Sequence, residues 1–277
     1  MHELSCSEKK TSKMMMMKEN KTENDINVNI GNAVFTKQVA AKVCMALVEF
    51  LLINKNQIPF PVVSFQQIIN RINNVEHDEN SDVKKPNLVG KYKAERKRNK
   101  AMETYNMYNQ LNEIMISTFE KCDIHQAIIL FGQTKFTTKE CFVINFPESD
   151  VVHSSVTVST NQSEIVRKII MSILGSADFF NKHGNILRQT NMHLLLKLKD
   201  GSSAPCMTNF QIQNYLRLPH KCRTTHFNIQ NNTEKLDSKP FNIFSDIDNT
   251  GNAAEPCSDS NIFFECNVIL KGIKWNQ

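Results

Sequence analysis

Apolar positions are sparse at the start of the chain, crowd together after residue 36, and then settle into a series of distinct periods. Residues 1–32 are polar, rich in Lys, Asn and Glu and aperiodic, and they read as a disordered tail. From Thr36 the pattern turns helical: Val39, Val43, Leu47 and Phe50 recur at i+4 or i+3, with Lys42 and Glu49 marking a thin polar stripe. In the run VCMALVEFLLI (43–53) Glu49 is the sole polar residue, so this helix is predicted to be buried nearly all round, at the centre of a domain. Pro59 and Pro61 forbid its continuation, because each proline pushes the residue before it out of the helical region. A second short helix is predicted over 62–71.

A polar, proline-interrupted loop follows over about 73–92, and then a long helix over 93–121 with Tyr105, Tyr108, Leu111, Met115, Phe119 and Cys122 along one side. Strands are predicted at AIILF (127–131) and CFVINF (141–146), close enough to form an antiparallel hairpin. Asn161-Gln-Ser-Glu164 has the pattern of a capping box and opens a helix. That helix carries Ile165, Ile169 and Ile173 beside Val166, Ile170 and Leu174, and ends near Gly175. HLLLKLK (193–199) alternates as a strand, DGS (200–202) reads as a turn, and further strands are predicted at 215–218, 226–229 and 264–272. Residues 231–260 form a polar insertion. These elements predict an α+β body over 33–277: three principal helices packed on one largely antiparallel sheet.

Composition adds limits to this outline. The formal charge of +5 over 277 residues is a mild excess, compatible with an acidic partner and too weak alone to argue for nucleic acid. Eight cysteines include no C-x-x-C pair, and Cys44, Cys122 and Cys141 lie inside apolar patterns, which reads as buried free thiols in a reducing compartment. The N-terminus lacks a signal-type apolar stretch, and the densest apolar run is about half the length needed to span a bilayer. The expectation is therefore an intracellular soluble protein without a membrane partner. The sequons at Asn20, Asn161 and Asn231 carry no glycan under that reading.

Reactive chemistry is thin. DIDNTG (246–251) imitates the start of a calcium loop, but position twelve is Cys257 instead of the required glutamate. His220, Cys222 and His226 would make a partial metal site without a paired cluster, and polar side chains along an edge strand explain them better. No phosphate-binding loop, nucleophile elbow or zinc-protease motif is present, and eight glycines leave little material for phosphate loops. No catalytic residue, metal or cofactor is assigned. The basic stretch KKPNLVGKYKAERKRNK (84–100) offers Lys93, Arg96, Lys97, Arg98 and Lys100 as a nuclear-localisation or phosphate-binding patch, against a solvated entry to the long helix. With Tyr92 as its sole aromatic, a nucleic-acid role is disfavoured.

The order of elements then carries a resemblance. A buried helix ending in a polar collar and I-P-x-P, a long helix feeding a hairpin, a third helix feeding a Leu-alternating strand, and a final strand resemble the HORMA domain. The closer likeness is to the comet-type HORMA-like adaptors of the spindle assembly checkpoint, in 33–68, 121–146, 163–180 and 263–273. The resemblance implies a non-enzymatic adaptor of the nucleus and cytoplasm, found at the spindle or kinetochores in mitosis. Such an adaptor binds the closed conformer of the HORMA protein MAD-two. It presents that partner to a hexameric AAA+ ATPase of the thyroid-receptor-interacting (Pch-two) type, which dismantles the mitotic checkpoint complex.

By position, the resemblance implies a partner-binding set of Asn54, Gln57, Arg167, Ile170, Ile173 and Leu174, with Ile170 where the family has an aromatic anchor. Ile170 reads equally as core, and on the residues alone Asn54 reads as a helix cap before it reads as a contact. Ile212 and Gln213 fall near a Pro-Lys pair that engages the ATPase; this chain has neither residue, so Arg217 and Lys221 are the neighbouring candidates. The resemblance also implies a C-terminal clasp that the chain fills with its own residues. The alternative is another HORMA-class scaffold, of meiotic-axis or autophagy type, that clasps a peptide motif from a partner.

Overall fold

The computed structural model describes residues 23–31, 33–75, 88–147, 162–183, 185–199, 208–231 and 262–273. At its centre is α1 (Lys37–Asn54), opened by Thr36, whose side chain accepts a hydrogen bond from the Val39 N–H at 3.2 Å. Val39, Val43, Leu47, Val48 and Leu51 are all shut off from solvent, as the nearly continuous apolar run requires. The thin polar stripe is used for ties. Lys42 donates to the Gln162 side chain at 2.6 Å, and the Glu49 carboxylate accepts the Val62 N–H at 2.8 Å, capping the start of α2 (Val62–Val75).

The long helix α3 (Leu88–Lys121) packs on α1 through Leu111, Met115 and Phe119, and α4 (Gln162–Leu174) packs on α1 as well. A short helix, α5 (Ala177–His183), which the sequence pattern did not predict, sets Phe179 against Phe50 with ring centres 5.6 Å apart. Asn161, the expected cap of α4, lies outside the described residues, as do the turn at 200–202 and the region 232–260.

The sheet contains β1 (Glu23–Asn29), β2 (Ile124–Gly132), β3 (Thr138–Asn145), β4 (Asn191–Leu198), β5 (Phe210–Gln213), β6 (Arg223–Gln230), β7 (Phe263–Cys266) and β8 (Leu270–Lys271). Its order is β1-β6-β3-β2-β4-β7-β5, with β8 also on β4. Five pairings are antiparallel, and β6 is parallel to both β1 and β3. The fold is thus α+β with a mostly antiparallel sheet. Alternation along β2, β3 and β4 sorts side chains to two faces. Ile129, Phe131, Phe142, Ile144, Leu194 and Leu196 join the helices in the main core, while Ile128, Leu130, Cys141, Val143 and Leu195 form a smaller cluster on the opposite face.

Four sequence expectations need correction, the first being the single strand at 264–272, which is broken after Cys266 into β7 and β8. Residues 23–29 are a strand, not tail: Ile26 and Val28 are buried beneath a polar majority that masked their alternation. Residues 215–218 are not a strand; the extended chain there folds back and lays Leu216 and Leu218 over the second face of the sheet. The strand sits earlier, at β5, whose Gln-rich composition hid it. Finally, α3 begins at Leu88, within what the prolines and polar residues suggested was loop.

Candidate functional site

The polar collar after α1 is a helix terminator. The Asn56 N–H donates to the Ile53 carbonyl at 2.9 Å and the Gln57 N–H to the Leu52 carbonyl at 2.8 Å, the paired pattern of a Schellman motif. Asn56 stands at the left-handed position with φ 55°, which an asparagine tolerates better than other residues bearing a side chain. Asn54, expected as contact or cap, is the last helical residue and half-buried, so the capping conformation falls two residues later.

The other two collar side chains turn inward. Lys55 has no exposed surface and meets Glu140 of β3 at 2.7 Å, with its ammonium 5.7 Å from the centre of the Phe142 ring. Burial pulls the Lys55 pKa down, and the Glu140 carboxylate opposes that pull. Gln57 is 1% exposed. Its carboxamide accepts the Thr190 N–H at 2.8 Å and donates to the Lys55 carbonyl at 2.8 Å, while its backbone carbonyl accepts the Ile273 N–H at 2.7 Å. Gln57 is therefore a knot between α1, the approach to β4 and the C-terminal segment, and not a surface for a partner. A Cβ on Gly272 would strike that carboxamide, so the segment passes closely over it.

The α4 candidates divide by helical phase. Ile173 is fully buried with Ile165 and Ile169, which removes it from any recognition face. Ile170 and Val166 are half-buried at the boundary. Arg167 is exposed, Leu174 is 40% exposed, and Met171, which the sequence reading passed over, is 57% exposed. With Phe180 of α5 also exposed, the outer side of α4 and α5 presents a mixed apolar and basic surface. Residues four apart on one helix share a side, so Arg167, Ile170, Met171 and Leu174 form one continuous patch.

The ATPase candidates lie at the far edge of the sheet. Ile212 and Gln213 are on β5, while Arg217 and Lys221 are exposed on the segment that crosses the second face. Beside them is a cluster that no sequence motif announced. Glu265 of β7 is reached by Lys135 at 2.9 Å and by the Gln213 side chain at 3.1 Å, and its other oxygen is 3.5 Å from His193 Nδ1 of β4. Burial lowers the His193 pKa, and Glu265 works against that shift. These groups are 50 to 130 positions apart in the chain, so local sequence patterns carry no trace of their meeting.

The basic stretch is helical where described. Lys93, Arg96, Lys97 and Lys100 are exposed on the early turns of α3 and Arg98 is half-buried. Among the described residues no group of three or more His, Cys, Asp or Glu side chains lies together in a metal-binding arrangement. Cys222 packs half-buried against the second sheet face, with its thiol directed to a backbone carbonyl 3.8 Å away. No disulfide joins the described cysteines, and burial pushes the Cys44 thiol up to about 12, which leaves it inert as a nucleophile at neutral pH. The motif at 246–251 lies outside the described residues. No described helix is long and apolar enough to cross a membrane. No protein-family model matches this chain, and neither does any curated protein.

Proposed function

We propose that this chain is a HORMA-like, comet-type adaptor of the spindle checkpoint, without enzymatic activity of its own. In this reading it binds the closed conformer of MAD-two through the outer side of α4 and hands it to the hexameric AAA+ ATPase. Checkpoint-complex disassembly and mitotic exit follow. Its working places are the nucleus and cytoplasm. The observation that carries the reading is the position of β7 in the C-terminal segment. β7 sits between β4 and β5, pairing Leu196 with Phe264 on one side and Ile212 with Phe264 on the other. A HORMA-class scaffold that clasps a partner's peptide needs such a slot open. Here the chain's own residues 263–266 fill it, which favours an adaptor over a peptide-clasping scaffold.

The patch of Arg167, Ile170, Met171 and Leu174 supports the same reading by its mixture of apolar anchors and an exposed arginine. Asn54, half-buried at the end of the neighbouring α1, remains compatible with a rim contact; Gln57 and Ile173 act inside the fold. The test is co-purification with closed and with open MAD-two, using the wild-type chain, Ile170→Arg and Met171→Arg. The expected result is capture of the closed form alone, lost in both variants while circular dichroism and melting stay those of the wild type. Equal capture of both conformers, or undiminished capture by Met171→Arg, contradicts the proposal.

A further inference from the structure

The two edges of the sheet are defended differently. β1 carries the exposed Asp25, a charge that discourages another strand from pairing. β5, Phe210-Gln-Ile-Gln213, carries neither charge nor proline and, among the described residues, pairs with β7 alone. The ladder identifies its open backbone groups. The Asn267 N–H donates to the Asn209 carbonyl at 2.9 Å, so residues 209, 211 and 213 face β7. By the same alternation, the N–H and C=O groups of Phe210 and Ile212 point away from the sheet.

The surroundings add side-chain character. Ile212 is 65% exposed and Tyr215 is 75% exposed, so apolar contact is on offer beside the open backbone groups. Arg217 and Lys221 follow on the exposed return segment; Arg217, four residues beyond the strand, lies within roughly 14 Å of its end. The neighbouring acid, Glu265, is already engaged by Lys135 and Gln213 and does not cancel those cations.

We infer that β5 is a docking edge for an extended, carboxylate-flanked segment of a partner protein, which joins the sheet as an added strand. Outward backbone groups supply the ladder, Ile212 and Tyr215 supply apolar contact, and Arg217 and Lys221 select acidic flanks. A second copy of this chain is the weaker occupant. A four-residue edge buries far less than the approximately 800 Å² per partner that a stable dimer needs. The inference gives Ile212, Arg217 and Lys221 a different partner from the ATPase that the resemblance implies for them, and it is tested on the full chain alone.

The probes are three fluorescein-labelled peptides sharing an alternating Ile-Thr core: one flanked by Asp and Glu, one flanked by Lys, and one acid-flanked with proline in the core. The key variant is Ile212→Pro, which removes an outward N–H and leaves the β7 ladder intact, as an edge strand permits. Fluorescence anisotropy is expected to detect the acid-flanked peptide, with the Lys-flanked and proline forms at least about tenfold weaker. Ile212→Pro should lose binding by a similar factor at unchanged melting temperature, and Arg217→Glu/Lys221→Glu should abolish the acidic preference. In the wild type, amide exchange at Phe210 and Ile212 should slow when peptide is added. Absence of binding up to millimolar peptide, or binding indifferent to Ile212→Pro, overturns the inference. Concentration-dependent self-association that Ile212→Pro abolishes also overturns it, by assigning the edge to a second copy.

Discussion

At the scale of single residues, the most constrained side chain is Lys55. An ammonium without solvent contact is tolerable only with a counter-charge close by, and Glu140 provides it at 2.7 Å. Removing one member takes away the other's close counter-charge, so Glu140→Gln is expected to destabilise the fold by about 3–5 kcal/mol. Lys55→Met with Glu140→Leu, which removes both charges, should cost far less. Urea unfolding of the three proteins reads the difference; equal losses would mean that packing alone, and not charge, holds this contact. His193 gives a second test. Its pKa is lowered from the ordinary value of 6.5 by burial, so the unfolded chain binds more protons than the folded one in the acidic range. The corresponding stability is complete above pH 6.5 and declines as the pH falls below it. The difference in urea midpoint between pH 7.5 and 5.5 should therefore shrink in His193→Gln.

Elements differ in how far local patterns dictate them. α1 was legible because a helix buried on all sides writes its burial as an unbroken apolar run, and the prolines marked its end. The central strands were legible for the same reason. β1 escaped notice although Ile26, Val28 and Ile30 alternate correctly, because the residues between them are those of an unstructured tail. The segment 215–218 failed in the opposite way. Its two leucines alternate as in a strand, yet they cover a sheet face without pairing, and periodicity does not tell these uses apart. Within the candidate site, helical phase separates Ile173 from Leu174, but periodicity does not count the layers packed outside α4, so the exposure of Met171 leaves no local trace. The inward turn of Lys55 and Gln57 was illegible, since their partners lie on distant strands and in the C-terminal segment.

At the scale of the whole molecule, the C-terminal segment is a structural member. Phe264, Cys266, Val268, Leu270 and Ile273 are buried, and their apolar contacts together amount to on the order of 10 kcal/mol. That is comparable with the total stability of an ordinary domain. A chain ending at residue 262 is expected to lose near-ultraviolet circular dichroism and to unfold without a cooperative transition. A cooperative transition preserved in that truncation would show that the segment is dispensable ballast on a self-sufficient body.

The parallel pairing of β1 with β6 has a consequence for the order of events during synthesis. Glu23 lies opposite Thr224, so β1, once it leaves the ribosome, waits for a strand made some two hundred residues later. At ordinary elongation speeds that delay is roughly 10–40 s, long compared with the microseconds in which a hairpin closes. A strongly apolar strand left unpaired for so long would invite aggregation. The acids and asparagines of residues 23–29 equip this one to wait in water, with Ile26 and Val28 held in reserve until β6 arrives.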